Sequence, residues 1–75
     1  MYKYTLQIDG MMCGMCEAHV NDVVRHNTKG KLKKLKSNHH KNICTFLSED
    51  ENIDEIVNGI KEQGYHVLDV KKEEK

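Results

Sequence analysis

The sequence predicts an α+β fold of order βαββαβ, with four strands in one antiparallel sheet and both helices on the same face. Three observations carry this. Segments of period two and of period 3.6 follow one another in that order along the 75 residues. Four of the breaks between them fall at Asp9-Gly10, Asn27 to Gly30, Asn38 to Lys41 and Gly64, all rich in turn-forming residues. The length allows one domain, residues 1–75. A chain this short buries only about 60% of its unfolded-state surface, so its core must be a single layer of contacts between few elements.

Each element has its own signature. Tyr2, Tyr4, Leu6 and Ile8 alternate with Lys3, Thr5 and Gln7, as in a half-buried strand, which Asp9-Gly10 ends. Cys16, Val20, Val23 and Val24 recur at i, i+4, i+7 and i+8, one face of a helix of about three turns. Leu32 and Leu35 then sit among Lys31, Lys33, Lys34 and Lys36. Lysine discourages pairing with other chains, so this strand is predicted at a sheet edge. Its two leucines are three apart, and only a bulge turns both inward. Asn38-His39-His40-Lys41 is a polar turn, and Ile43 to Leu47 is a strand by β-branched and aromatic content. There Ile43, Thr45 and Leu47 compete with Cys44 and Phe46 for the core face, which leaves the orientation of Cys44 open. Asn52 followed by Glu55 reads as an N-cap with an acidic residue at N3. Ile53, Ile56, Val57 and Ile60 form the buried stripe of that second helix, and Gly64 is its C′ residue. Tyr65 to Val70 is the last strand, with Lys71 to Lys75 a frayed charged tail.

In this topology the loop after the first strand, the turn between the second and third, and the loop before the fourth lie at one end. Cys13 and Cys16 therefore share an end with His39, His40, Tyr65 and His66. The face of the sheet away from the helices stays wet.

Composition excludes several functions. Twelve basic residues balance twelve acidic ones, so no overall field favours nucleic acid or anionic lipid. The same element order occurs in RNA-recognition motifs, but those stack bases on two or three aromatics of the third strand, and Lys41 to Ser48 offers only Phe46. No apolar run approaches the roughly 20 residues of a membrane span. The first eight residues lack the apolar block of a signal peptide, which makes the cytoplasm the expected compartment. Three cysteines, an odd count, argue against a disulfide scaffold. No acid–base pair, nucleophile relay or phosphate loop suggests an enzyme.

The segment Gly10-Met11-Met12-Cys13-Gly14-Met15-Cys16 carries most of the functional information. Two cysteines three apart, one on a loop and one in a helix's first turn, can aim both sulfurs at one point. Unpaired backbone N–H groups at the helix start favour thiolate over thiol. Thiolates are soft and select Cu(I), zinc and similar ions over calcium or magnesium. Structural zinc takes four protein ligands, usually two such pairs. This chain has one pair, which suits a two-coordinate monovalent ion, Cu(I) or by the same logic Ag(I). An open ion of this kind also suits transfer, because a partner's thiolate can attack it before the first protein lets go.

Gly-Met-x-Cys-x-x-Cys between a first strand and a first helix, with Gly64-Tyr65-x-Val67 after the second, resembles the heavy-metal-associated domain and within it the bacterial copper chaperones. The resemblance runs from Tyr2 to Val70. It implies the ferredoxin-like fold, with Cys13 and Cys16 as Cu(I) ligands, Met11 packed inward to tether the loop, and Tyr65 beside the metal limiting access of solvent and oxidant. It also implies a partner, either the soluble domain of a copper-transporting P-type ATPase or a copper-responsive regulator, met as a monomer or through a metal-bridged dimer. Three positions depart from the pattern. Met12 replaces the commoner threonine, Asn27 stands where an apolar residue usually closes the first helix and leaves that corner loose, and Cys44 is an extra thiol.

Other readings stay open beside this one. The pair could serve as a redox dithiol, although thioredoxin-like proteins are longer and need a cis-proline, and this chain has no proline. The same domain could handle Hg(II) or Zn(II). Met12 and Met15 read as apolar surface that repacks against a partner, with thioether ligation as the alternative. His39, His40 and His66 read as polar turn or strand residues with auxiliary ligation as the alternative, and His19 and His26 as helix surface.

Overall fold

Strict alternation in the first strand decides which side of the sheet is covered. Tyr4, Leu6 and Ile8 are buried against the helices, while Lys3, Thr5 and Gln7 face the other way. The computed structural model describes residues 1–74. It gives β1 (Tyr2–Asp9), α1 (Gly14–Asn27), β2 (Leu32–Asn38), β3 (Ile43–Ser48), α2 (Asp54–Glu62) and β4 (His66–Glu74). The strands form one antiparallel sheet in the order β2-β3-β1-β4. Val20 and Val24 of α1 and Ile56 and Ile60 of α2 close the core over Tyr4, Leu6, Ile8, Cys44 and Phe46.

The edge strand β2 carries the bulge its leucine spacing demands. Pairing with β3 shifts between Lys33↔Leu47 and Lys36↔Thr45, so Lys34 and Leu35 together oppose a single residue. Lys34 absorbs the irregularity at φ +54. Leu32 and Leu35 both end up against the core. The register of β3 settles Cys44. Its neighbours across the ladder are Leu6 for Cys44 and Tyr4 for Phe46, both inward residues, so Cys44 points in and is fully buried. Ile43, Thr45 and Leu47 are left half-covered on the open face.

Three expectations need correction. Residues 71–74 are not a frayed tail. β4 runs to Glu74, pairing Thr5↔Lys71, Tyr4↔Lys72, Lys3↔Glu73 and Tyr2↔Glu74. No apolar pattern announces this extension. It is held by the ladder and by Lys72, whose ammonium sits 4.2 Å from the Tyr2 ring centroid and donates to the Glu51 carbonyl at 2.9 Å. Lys75 lies outside the described residues. At the second helix, Ile53 rather than Asn52 occupies the cap position, but Asn52 still does the capping work, since its Oδ1 accepts from the Asp54 N–H at 2.7 Å. Glu55 does not reach back to complete a box and instead pairs with Lys29 at 3.1 Å. The corner at Asn27 is tight rather than loose. Asn27 donates to the Val23 carbonyl at 2.8 Å, and the opposing residue on α2 is Gly59, where a Cβ would lie 2.9 Å from both Asn27 Nδ2 and Val23 Cγ1. Gly59 lets the two helices approach around a polar side chain.

Candidate metal centre

The cysteine loop leaves β1 through Gly10, whose φ of +105 few side-chain-bearing residues adopt, and the Tyr65 ring would lie 3.4 Å from a Cβ there. Met11 then turns into the core, only 3% exposed, and fixes the base of the loop. Met12 points out, 83% exposed. Cys13 is the N-cap of α1, in extended conformation, and its carbonyl accepts from the N–H groups of Cys16 at 3.1 Å and Glu17 at 3.3 Å. No side chain caps this helix start. Both thiols are free, Cys13 exposed and Cys16 half-buried in the first turn beneath it. Met15 is exposed as well, at 69%.

The surroundings shift the acidity of the two inner groups in opposite directions. Hydrogen bonding from the Met12 backbone, then from the Tyr65 hydroxyl, brings the Cys16 thiol down to about 7, against the upward push of partial burial. Tyr65 is pushed up to about 12, first by burial and then by its contact with the Cys16 sulfur. A thiolate at Cys16 is thus accessible at neutral pH, as metal ligation and thiol exchange both require. Cys44 is the opposite case. Burial raises it to about 11, an upward push that the neighbouring Ser37 side chain partly offsets.

The other groups at this end take structural parts. His39 is bound to Glu17 through both its backbone N–H, at 2.7 Å, and its ring Nδ1, at 2.6 Å, and its ring lies against that of His40, tilted by 36°. His66 is exposed at the start of β4, paired across from Asp9. His19 and His26 are exposed on α1, where they line a groove shared with Gly59 and Glu62 of α2. Among the described residues no three or more His, Cys, Asp or Glu side chains form a group able to hold a metal ion, so these histidines do not complete a set with the two cysteines. Glu17 belongs to no motif in the sequence. Its position directly after Cys16, opposite a turn with two histidines, was the available signal.

No family model matches this chain, and no curated protein matches it by sequence. Among solved structures, a CopZ metallochaperone superposes with a TM-score of 0.76 at 24% identity, over 88% of this chain and 98% of that one. The four-stranded antiparallel sheet and two helices described above are therefore a ferredoxin-like fold shared with that protein.

Proposed function

We propose that this chain is a carrier of Cu(I), held between Cys13 and Cys16 and handed to a partner by thiolate exchange. The observation that carries the reading is the pair itself: two free, accessible thiols at the start of α1, one of them acidified to about 7, in a fold shared with a protein described as a metallochaperone. Two soft donors in an open loop suit a two-coordinate monovalent ion, and Ag(I) would be taken on the same grounds. Hg(II) and Zn(II) are the alternative cargoes for these donors.

In the exchange, a partner's thiolate forms a bond to the ion before a bond to Cys13 or Cys16 breaks. Each departing sulfur keeps its electron pair and regains a proton from water. The ion's charge is unchanged throughout, so the step needs no oxidant or reductant. Cys13, the more exposed, is the ligand released first. Met11 anchors the loop during the exchange, Tyr65 limits access of water and oxidant to the inner sulfur, and Met12 and Met15 offer adaptable apolar contact to the partner. The partner of this reading is the soluble domain of a copper-transporting P-type ATPase or a copper-responsive regulator, met in the cytoplasm by a monomer or a metal-bridged dimer. No helix among the described residues is long and apolar enough to cross a membrane.

An anaerobic Cu(I) titration of the reduced protein against a competing chelator tests this. Uptake of one ion per chain, or one per two chains, that disappears in Cys13→Ser and Cys16→Ser is the expected result. Equal uptake by both variants defeats the assignment. A thiol of raised acidity beside a second exposed thiol also favours a dithiol redox protein. That reading requires reduction of insulin disulfides by the metal-free protein.

A further inference from the structure

We infer that the turn between β2 and β3 is the holder of the cysteine loop, with Glu17 and His39 as the positioning pair that sets how readily the loop gives up its cargo. The inference rests on the Cu(I) reading for the cargo and on geometry alone for the hold.

The segment bearing the thiols is gripped by this turn at three points that bracket it. Before the loop, the Ile8 N–H donates to the Asn42 carbonyl at 2.7 Å. At its base, the Asn42 side-chain amide, turned to satisfy both acceptors, donates to the carbonyls of Met11 at 3.3 Å and His39 at 3.2 Å. Behind it, one oxygen of Glu17 receives both the His39 N–H and, with the proton on Nδ1, the His39 ring. Glu17 follows Cys16 directly, and its own N–H bonds the Cys13 carbonyl, so it belongs to the turn of helix that presents both sulfurs.

This pair differs from an ordinary surface contact, which contributes little. Its side chains are only 24% and 27% exposed, and one of its two donors is a backbone N–H with no side-chain freedom to lose. The turn that supplies the donors is itself fixed, since Asn38 Oδ1 accepts from the N–H groups of His40 at 2.9 Å and Lys41 at 3.2 Å. With no side chain capping α1, the orientation of its first turn depends on these ties. A loop held in one arrangement keeps two sulfurs placed for linear coordination and resists the spreading that a three-coordinate exchange complex needs.

The test compares the full chain with Glu17→Gln, His39→Ala and His39→Asn, the last placing an amide nitrogen where Nδ1 stands. In reduced, metal-free protein, His39→Ala is expected to speed amide hydrogen exchange at Cys16 and Glu17 about tenfold, as loss of a charge-assisted hydrogen bond predicts, with Leu6 and Ile60 unchanged. Release of bound Cu(I) to excess chelator speeds up by a similar factor. Glu17→Gln shifts both readouts in the same direction, and His39→Asn restores both. Unchanged loop exchange in His39→Ala, acceleration spread equally to Leu6 and Ile60, or no recovery in His39→Asn overturns the inference. If the wild-type chain takes up no Cu(I) while the loop-confined acceleration is seen, the cargo is overturned and the hold on the loop is supported.

Discussion

The Tyr65 hydroxyl and the Cys16 sulfur meet at the inner side of the cysteine loop, and the contact favours charge on one and opposes it on the other. Cys16 loses its proton near pH 7, whereas Tyr65 keeps its own to about 12. Folding thus lowers the Cys16 value below its ordinary 9.0. The contribution of this group to the stability of the metal-free protein is full above about pH 9 and is lost as the pH falls through 7.

Removing that hydroxyl is expected to undo part of the shift. In metal-free Tyr65→Phe, the pH of half-maximal alkylation at Cys16, read by peptide mass spectrometry after iodoacetamide, moves up from about 7 toward 9.0. A midpoint that stays put would take Tyr65 out of the account. Tyr65→Ala additionally opens the loop, and air oxidation of the loaded protein is expected to quicken; an identical rate would leave the ring no shielding role.

Cys44 should be chemically silent. It is fully buried, with its thiol pushed to about 11, so iodoacetamide at pH 8 labels Cys13 and Cys16 in the folded chain and reaches Cys44 only when denaturant is added. Labelling of Cys44 under native conditions would contradict the inward register of β3.

Gly10→Ala places a Cβ on a backbone at φ +105. The strain is expected to cost about 1–3 kcal/mol, measured as a lower thermal midpoint, and to disturb the loop at its exit from β1. A midpoint equal to that of the wild type would mean the loop has another conformation available.

Gly59→Val drives side-chain atoms into Val23 and Asn27, each already 2.9 Å from where a Cβ would begin. Overpacking of this kind costs about 1–3 kcal/mol, visible as a lower urea midpoint with an unchanged slope. A neutral result would show that the two helices can part there without loss.

Patterned apolar residues made most of the fold legible. The alternation in β1, the stripe of α2 and even the bulge of β2 follow from where side chains must point, and two leucines three apart among lysines left one solution. The candidate site stands out for a different reason: a loop cysteine three residues before a helical one has few structural explanations. What stayed hidden depends on partners distant in the chain. Lys71 to Glu74 has no periodicity of its own and becomes strand because Tyr2 to Thr5 offers a ladder and a ring. Cys44 and Ile43 could not be ranked until β1 supplied the register. Glu17 and His39 are 22 residues apart, and no local spacing relates them.

The bare start of α1 has one more consequence. If the pair holds Cu(I) as proposed, two thiolates around one ion leave a net negative charge, seated where the helix dipole is positive and no side chain supplies an acceptor. Loading therefore finishes the helix that presents the cargo. The Cu(I)-bound protein is then expected to melt at a higher temperature than the metal-free one, a difference that calorimetry reads.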